Sequence, residues 1–175
     1  MLTTERLALR ECTLDDADLF VELDSDPEVM RYLTDQLTDR EHVRQQVVPR
    51  LVDEYRRHPG FGLWVAHTHD DELAGWFHLR QHDDRPLGEV ELGYRLRRAT
   101  WGRGYATEGS RALLHRGFEE LGVHTVFAET LTVNTASRRV LEKVGLTHRR
   151  TYPVPGTEQG GVEYAVTREE WQAGR

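Results

Sequence analysis

The chain has 175 residues, a formal net charge of −7 and a hydrophobic share of 38%, which reads as one domain over residues 1–175 with a core of its own. The acidic balance argues against nucleic acid as a partner, and no apolar run approaches the roughly 20 residues needed to cross a bilayer. A single cysteine, Cys12, leaves no internal disulfide, and the charged, alternating start Met1 to Arg10 is not a signal peptide, so the expectation is a cytoplasmic protein with no membrane partner.

Arg6 to Arg10 alternates polar and apolar residues and predicts a half-buried strand. Thr13-Leu14-Asp15-Asp16 offers a helix cap, with Ala17, Leu19, Phe20 and Leu23 as the apolar face behind it. Asp26-Pro27 breaks that helix, and Pro27 to Tyr32 restarts a short one. Thr38-Asp39-Arg40-Glu41 has capping-box spacing and opens a longer helix, along which Val43, Val47, Val48, Leu51, Val52 and Tyr55 recur. Pro49 lies inside it and predicts a kink or a shortened helix. Strands follow at Leu63 to His67, Leu73 to Gln81 and Glu89 to Leu96, with links too short for helical crossovers, so an antiparallel meander is expected. Thr107 to Leu121 reads as a helix stopped by Gly122, with Ala112, Leu113, Gly117 and Leu121 inward and Phe118 at the edge. Thr125 to Val133 is the next strand. Asn134 to Ser137 begins a helix with Val140, Leu141 and Val144 inward, stopped by Gly145. Thr147 to Tyr152 and Val162 to Thr167 form a last strand pair, and Arg168 to Trp171 a short helical turn. The order predicts an α/β fold with a mixed sheet.

The stretch Trp101-Gly102-Arg103-Gly104-Tyr105-Ala106-Thr107-Glu108 joins a strand to a helix start. Glycines let backbone N–H groups approach a ligand, and a helix start leaves donors unpaired, so the expected ligand is a phosphate or pyrophosphate. A Rossmann turn would need a third glycine where Thr107 stands and strands alternating with helices. A P-loop would need Lys after its last glycine. The nine histidines are scattered and show no zinc-ligand spacing, and no Gly-x-Ser-x-Gly elbow occurs.

Strand, helices, three-strand meander, glycine turn, helix, strand, helix and strand pair is the order found in the GNAT acetyltransferases. Gly93-Tyr94-Arg95-Leu96 running into Trp101 to Gly109 resembles their acetyl-CoA pyrophosphate loop, and Asn134-x-x-Ser137 followed by Leu141 to Leu146 resembles their second signature. The openings Leu2 to Arg10 and Asp26 to Met30 are similar to the RimJ/RimL-type branch, whose members acetylate protein N-termini or other small amines. The resemblance implies a mixed, mostly antiparallel sheet of about seven strands flanked by about four helices. It implies acetyl-CoA as co-substrate, a small-molecule or peptide amine as acceptor, and direct attack in a ternary complex. Homodimers are common among such lookalikes. A non-catalytic acyl-CoA-binding module of the same fold is the alternative.

Carried over residue by residue, the family's Arg/Gln-x-x-Gly-x-Gly/Ala pattern falls on Trp101, Gly102, Arg103, Gly104, Tyr105 and Ala106, with Trp101 in place of the usual Arg or Gln. These and Thr107 would hold the pyrophosphate. Leu96 would offer backbone hydrogen bonds to the pantetheine arm. Asn134 matches the pantetheine-binding asparagine and equally suits a helix cap. The backbone N–H that stabilises the oxyanion falls near Tyr94, and Ser137 stands where the branch has a polar group facing the departing thiolate. Glu91, next to Glu89 on the strand before the turn, and His78 on the neighbouring strand are the candidate bases, imidazole being the side chain suited to proton transfer near neutral pH. Met30, Tyr32, Trp64, Trp76 and Phe77 are candidates to line the acceptor pocket.

Overall fold

The computed structural model describes residues 1–33 and 39–174. Its frame is one eight-stranded sheet in the order β1-β2-β3-β4-β5-β6-β8-β7. β1 (Leu2–Thr3) and β2 (Leu7–Glu11) lead into the meander β3 (Gly62–Thr68), β4 (Leu73–Gln81) and β5 (Glu89–Leu96). β6 (Thr125–Leu131), β7 (Thr147–Pro153) and β8 (Gly160–Thr167) complete it. All neighbours pair antiparallel except β5 and β6, which run parallel. The mixed, mostly antiparallel expectation holds, and the meander falls where the short links put it. The strand beyond the expected seven is β1, two residues long and too short to show alternation.

The helices occupy both faces of the sheet. α1 (Ala17–Ser25) follows a turn in which the Thr13 N–H and hydroxyl both donate to the Asp16 carboxylate, at 2.7 and 3.0 Å. α2 (Pro27–Met30) is capped by Asp26, whose carboxylate accepts from the Glu28 N–H. α3 (Arg40–His42) is capped by Asp39; the Thr38 position of the predicted capping box and the Tyr55 side chain lie outside the described residues. A π-helical turn over Val43–Val47 then precedes α4 (Val48–Arg57). Pro49 therefore sits just after the wide turn in a helix that continues without a break, and that turn, in place of a kink, accommodates its ring and missing N–H.

α5 begins at Tyr105, two residues before the predicted start, and runs to His115, followed by a π-helical turn over Arg116–Glu120. That extra residue re-aims the end of the helix: Phe118, expected at the edge, is 2% exposed in the core. α6 (Thr135–Lys143) and α7 (Arg168–Ala173) follow. α5 and α6 pack on the sheet face carrying Leu7, Leu9, Trp64, Phe77, Leu79, Val90 and Leu92. α1 and α4 cover the opposite face with Phe20, Leu23, Val48, Leu63 and Val65. Gly109 is what lets α5 lie so close, because a Cβ there would sit 2.3 Å from the Phe77 ring. Among the described residues no helix is long and apolar enough to cross a membrane.

One irregularity in the sheet sets up the site. β5 and β6 pair at Glu89↔Thr125, Val90↔Val126 and Glu91↔Phe127, and among the described residues the ladder stops there. Yet β5 continues to Leu96, held by β4 throughout, and β6 continues to Leu131, held by β8. Two parallel strands that stop pairing while both continue open a fork inside the sheet, whose β5 edge presents unpaired backbone groups.

Candidate active site

The glycine turn closes the mouth of the fork. Gly102 has φ +74° and Gly104 φ +84°, a region that favours glycine, and Gly104 is the N-cap of α5. The first-turn N–H groups of α5 have no intrahelical partner and carry the positive end of the helix dipole, which suits a phosphate group. The arginines around the turn are already paired with carboxylates: Arg103 with Glu72 at 2.6 Å, Arg6 with Glu108 at 2.6 Å, Arg97 with Glu22 at 2.6 Å and Arg98 with Asp26 at 3.4 Å. An anion at the turn itself therefore meets backbone donors first, with Arg111 and Lys143 lining the cleft that continues from Gly104 and Thr107.

Sequence reasoning missed what anchors this turn. Glu108 accepts from the Thr4 hydroxyl at 2.6 Å, the Arg6 N–H at 2.8 Å and the Arg6 side chain at 2.7 Å. Burial alone would raise its carboxyl, but those hydrogen bonds hold it below the usual range. The Arg6 guanidinium also donates to the Arg103 carbonyl at 2.8 Å. The segment joining β1 to β2 is thus stapled across the start of α5, a contact over about a hundred residues of chain that no local pattern announces.

Trp101 has a different role from the Arg or Gln it replaces. Its indole N–H donates to the Leu96 carbonyl at 2.9 Å while the ring stays 45% exposed. It ties the turn to the end of β5. The Leu96 carbonyl, expected to be open to a pantetheine arm, already accepts this bond, and a second lone pair is all it has left. Asn134 is a helix cap: its side-chain oxygen accepts from the Ser137 N–H at 3.2 Å, and its amide donates to the Thr130 hydroxyl at 3.1 Å.

Alternation along β5 sorts the remaining candidates onto two faces. On the α5/α6 face, Tyr94 stands at the fork and its hydroxyl donates to the Ser137 hydroxyl of α6 at 3.2 Å. Burial pushes the Tyr94 phenol up to about 12, the bond to Ser137 only partly offsetting it. The structure thus joins two residues 43 apart in sequence into one hydroxyl pair spanning the fork.

The opposite face carries His78 and Glu91. His78 is the cross-strand partner of Gly93, and a Cβ at Gly93 would lie 2.5 Å from His78 Nε2. The glycine makes the slot in which the imidazole lies. The ring also stacks on Trp76 at 5.6 Å between centroids, and Trp76 stacks on Phe20 of α1. His78 Nε2 is buried without a hydrogen bond among the described residues and lies 3.4 Å from Glu91.

Glu91 is held harder than the sequence suggested. Arg80 and His82 each contact its Oε2 at 2.7 Å. Burial alone would raise its carboxyl, but His78, Arg80 and His82 together hold it well below the ordinary glutamate range. A carboxylate so stabilised is a poor proton acceptor, so Glu91 fits an anchor for the histidines better than a base. Of the expected pocket residues, Trp64 and Phe77 are buried on the α5/α6 side of the sheet, whereas Trp76 shares the His78 face. Met30 is buried, and Tyr32 is partly exposed beyond α2.

Comparison with known proteins bears on the same features. The family model described as an acetyltransferase (GNAT) domain matches residues 6–147. An Aspergillus fumigatus protein named FsC-acetyl coenzyme A-N(2)-transacetylase is 38% identical over 97% of this chain and 77% of its own length. Among solved structures, a GNAT-family acetyltransferase from Bacillus anthracis superposes with a TM-score of 0.83 at 24% identity, over 96% of this chain and 98% of its own. The spermidine N-acetyltransferase of Vibrio cholerae, crystallised with CoA and spermine, gives 0.78 at 14% identity, over 95% and 98%. At those identities the two structures speak to the fold alone.

Proposed function

This chain belongs to the GNAT acetyltransferase family, with acetyl-CoA as co-substrate, and from that premise we propose that it acetylates a primary amine of a small molecule or peptide by direct attack in a ternary complex. The observation that carries this reading is the fork between β5 and β6 with the start of α5 at its mouth. The glycine turn takes the pyrophosphate on backbone N–H groups, and the open edge of β5 takes the pantetheine arm as an added strand would be taken. The acetyl carbonyl then lies where Gly93 and Tyr94 cross the fork, within reach of a backbone N–H for the developing oxyanion.

The two faces divide the proton chemistry. The amine enters from the His78 side, where the imidazole takes the proton that the nitrogen must lose, and Glu91 orients the ring. The thiolate departs toward the Tyr94–Ser137 pair, whose hydroxyls can hydrogen-bond the leaving sulfur; burial keeps the phenol neutral while making it a weaker acid, and its bond to Ser137 frees the serine proton to face the sulfur. A covalent acyl-enzyme has no support in the thiol: Cys12 is 3% exposed, and burial pushes its pKa up to about 12.

The relative named for N(2) transacetylation supports nitrogen as the acceptor atom. The RimJ/RimL-type placement rests on Leu2 to Arg10 and Asp26 to Met30, and a cytoplasmic location on the lone buried cysteine. Initial-rate kinetics with acetyl-CoA and an amine panel test the mechanism. Intersecting double-reciprocal lines are expected; parallel lines would overturn direct attack.

A further inference from the structure

Two rings on the acceptor face share one construction. His78 lies across Gly93, and Tyr152 of β7 lies across Gly161 of β8, where an added Cβ would sit 2.5 Å from the phenol ring. They stand on opposite sides of the fork, His78 on the wall built by β4 and β5, Tyr152 on the wall built by β6, β8 and β7. Parallel pairing at Glu91↔Phe127 puts Glu129, two residues beyond Phe127, across the widening gap from Gly93, two residues beyond Glu91. Glu129 therefore shares the sheet face of His78, and it adjoins Tyr152, whose phenol is pushed up to about 12 by burial and then by the Glu129 carboxylate.

The carboxylates on this face differ in how far they are neutralised. Glu91 is held by Arg80 and His82 at 2.7 Å, with His78 at 3.4 Å. Glu163 is held by Arg85 at 2.7 Å and Arg150 at 2.8 Å, and Glu89 by Arg85 at 2.8 Å. Among the described residues the ion pair of Glu129 is with Arg150 at 3.9 Å, and that guanidinium is already committed to Glu163. Glu129 is the carboxylate of this face with charge to spare. The ring beside it already attracts a cation, for the Arg150 guanidinium lies 5.3 Å from the Tyr152 centroid.

We propose that Glu129 and Tyr152 select the acceptor by charge, taking a second cationic group carried beyond the amine that receives the acetyl. This rests on the reading of the His78 face as the acceptor side. It makes Glu129 a specificity residue, leaving the acetyl-CoA side untouched.

The test uses amines matched in pairs, putrescine against butylamine and lysine amide against norleucine amide, at saturating acetyl-CoA with coenzyme A thiol release as readout. The wild type is expected to favour the dicationic member by about 10-fold in kcat/KM, the scale of one charge-assisted contact. Glu129→Gln should bring that ratio close to one through the amine KM, with the acetyl-CoA KM unchanged. Tyr152→Leu should lower the ratio in the same direction, and Glu129→Asp should keep it. Turnover with an unaltered ratio in Glu129→Gln, or a wild type that favours the monoamines, overturns the proposal alone. No thiol release with any pair overturns the acceptor-side reading and the proposal with it.

Discussion

The two faces of β5 are built by different means. Toward α5 and α6, the site rests on backbone: glycines at positive φ, a helix N-terminus and an open strand edge, trimmed by one hydroxyl pair. Toward α1 and the β4–β5 turn, it rests on side chains seated against one another, His78 in the slot at Gly93 and Glu91 among Arg80, His82 and His78. On the proposed reading, the backbone side binds what is constant, the coenzyme. Side-chain sites can be rebuilt for each acceptor without disturbing the other face. The contrast implies that damage on one face should appear in acetyl-CoA binding, and damage on the other in turnover or in the amine KM.

The largest effect is expected at the turn. Gly104→Glu forces a side chain onto φ +84° and aims a carboxylate at the phosphates, so acetyl-CoA affinity should fall by more than about 100-fold in calorimetric titration. Gly104→Ala separates the two causes, since it adds the strain of about 1 kcal/mol that a left-handed non-glycine residue carries and a 3.3 Å approach to the Arg6 guanidinium, but no charge. Unchanged affinity in the glutamate variant would remove the pyrophosphate site from this loop.

On the other face, Gly93→Ala should act through His78. Its new Cβ falls 2.5 Å from Nε2, so the ring must leave its slot. Loss of a positioned base lowers kcat by about 10² to 10⁴, and the same loss is expected for His78→Ala, with acetyl-CoA affinity preserved in both. The double variant should be no worse than either single one, because the glycine matters only through the ring. Additive losses would separate the two residues and return Gly93 to a purely structural part.

The same contrast explains what could be read from the chain. The turn at Gly102 and Gly104 and the cap at Asn134 are short-range patterns in which residue type and backbone need coincide, so they are visible in sequence. The meander was legible from alternation and short links. β1 was not, because two residues cannot alternate, and Phe118 was misplaced because a π turn leaves no compositional mark. Glu91 was seen, but not that Arg80 and His82 neutralise it: those contacts depend on register, which alternation alone leaves open. The Glu108 staple, the Tyr94–Ser137 pair and the Glu129–Tyr152 wall each join segments far apart in the chain.

A smaller effect is expected from the hydroxyl pair. Tyr94→Phe should lower kcat by about 10-fold or more if the phenol protonates the thiolate, and Ser137→Ala less, since the phenol remains. The sign of the pH dependence follows from burial. A phenol held near 12 stays protonated as pH rises through 10, so Tyr94 should contribute no basic limb below about pH 11. A limb near pH 9 in wild-type kcat that vanishes in Tyr94→Phe would contradict that environment.

The smallest effect falls where the two faces meet, at Trp101. Trp101→Phe keeps a ring over the turn and removes the N–H that reaches the Leu96 carbonyl. One neutral hydrogen bond at a partly exposed site stabilises by about 0.5–1.5 kcal/mol, so a few-fold rise in the acetyl-CoA KM is expected, with kcat unchanged. The direction is informative. If the indole only fastens the turn, the variant binds acetyl-CoA more weakly. If the indole competes with the pantetheine arm for that carbonyl, binding tightens instead, and Trp101 is a latch that the coenzyme must displace.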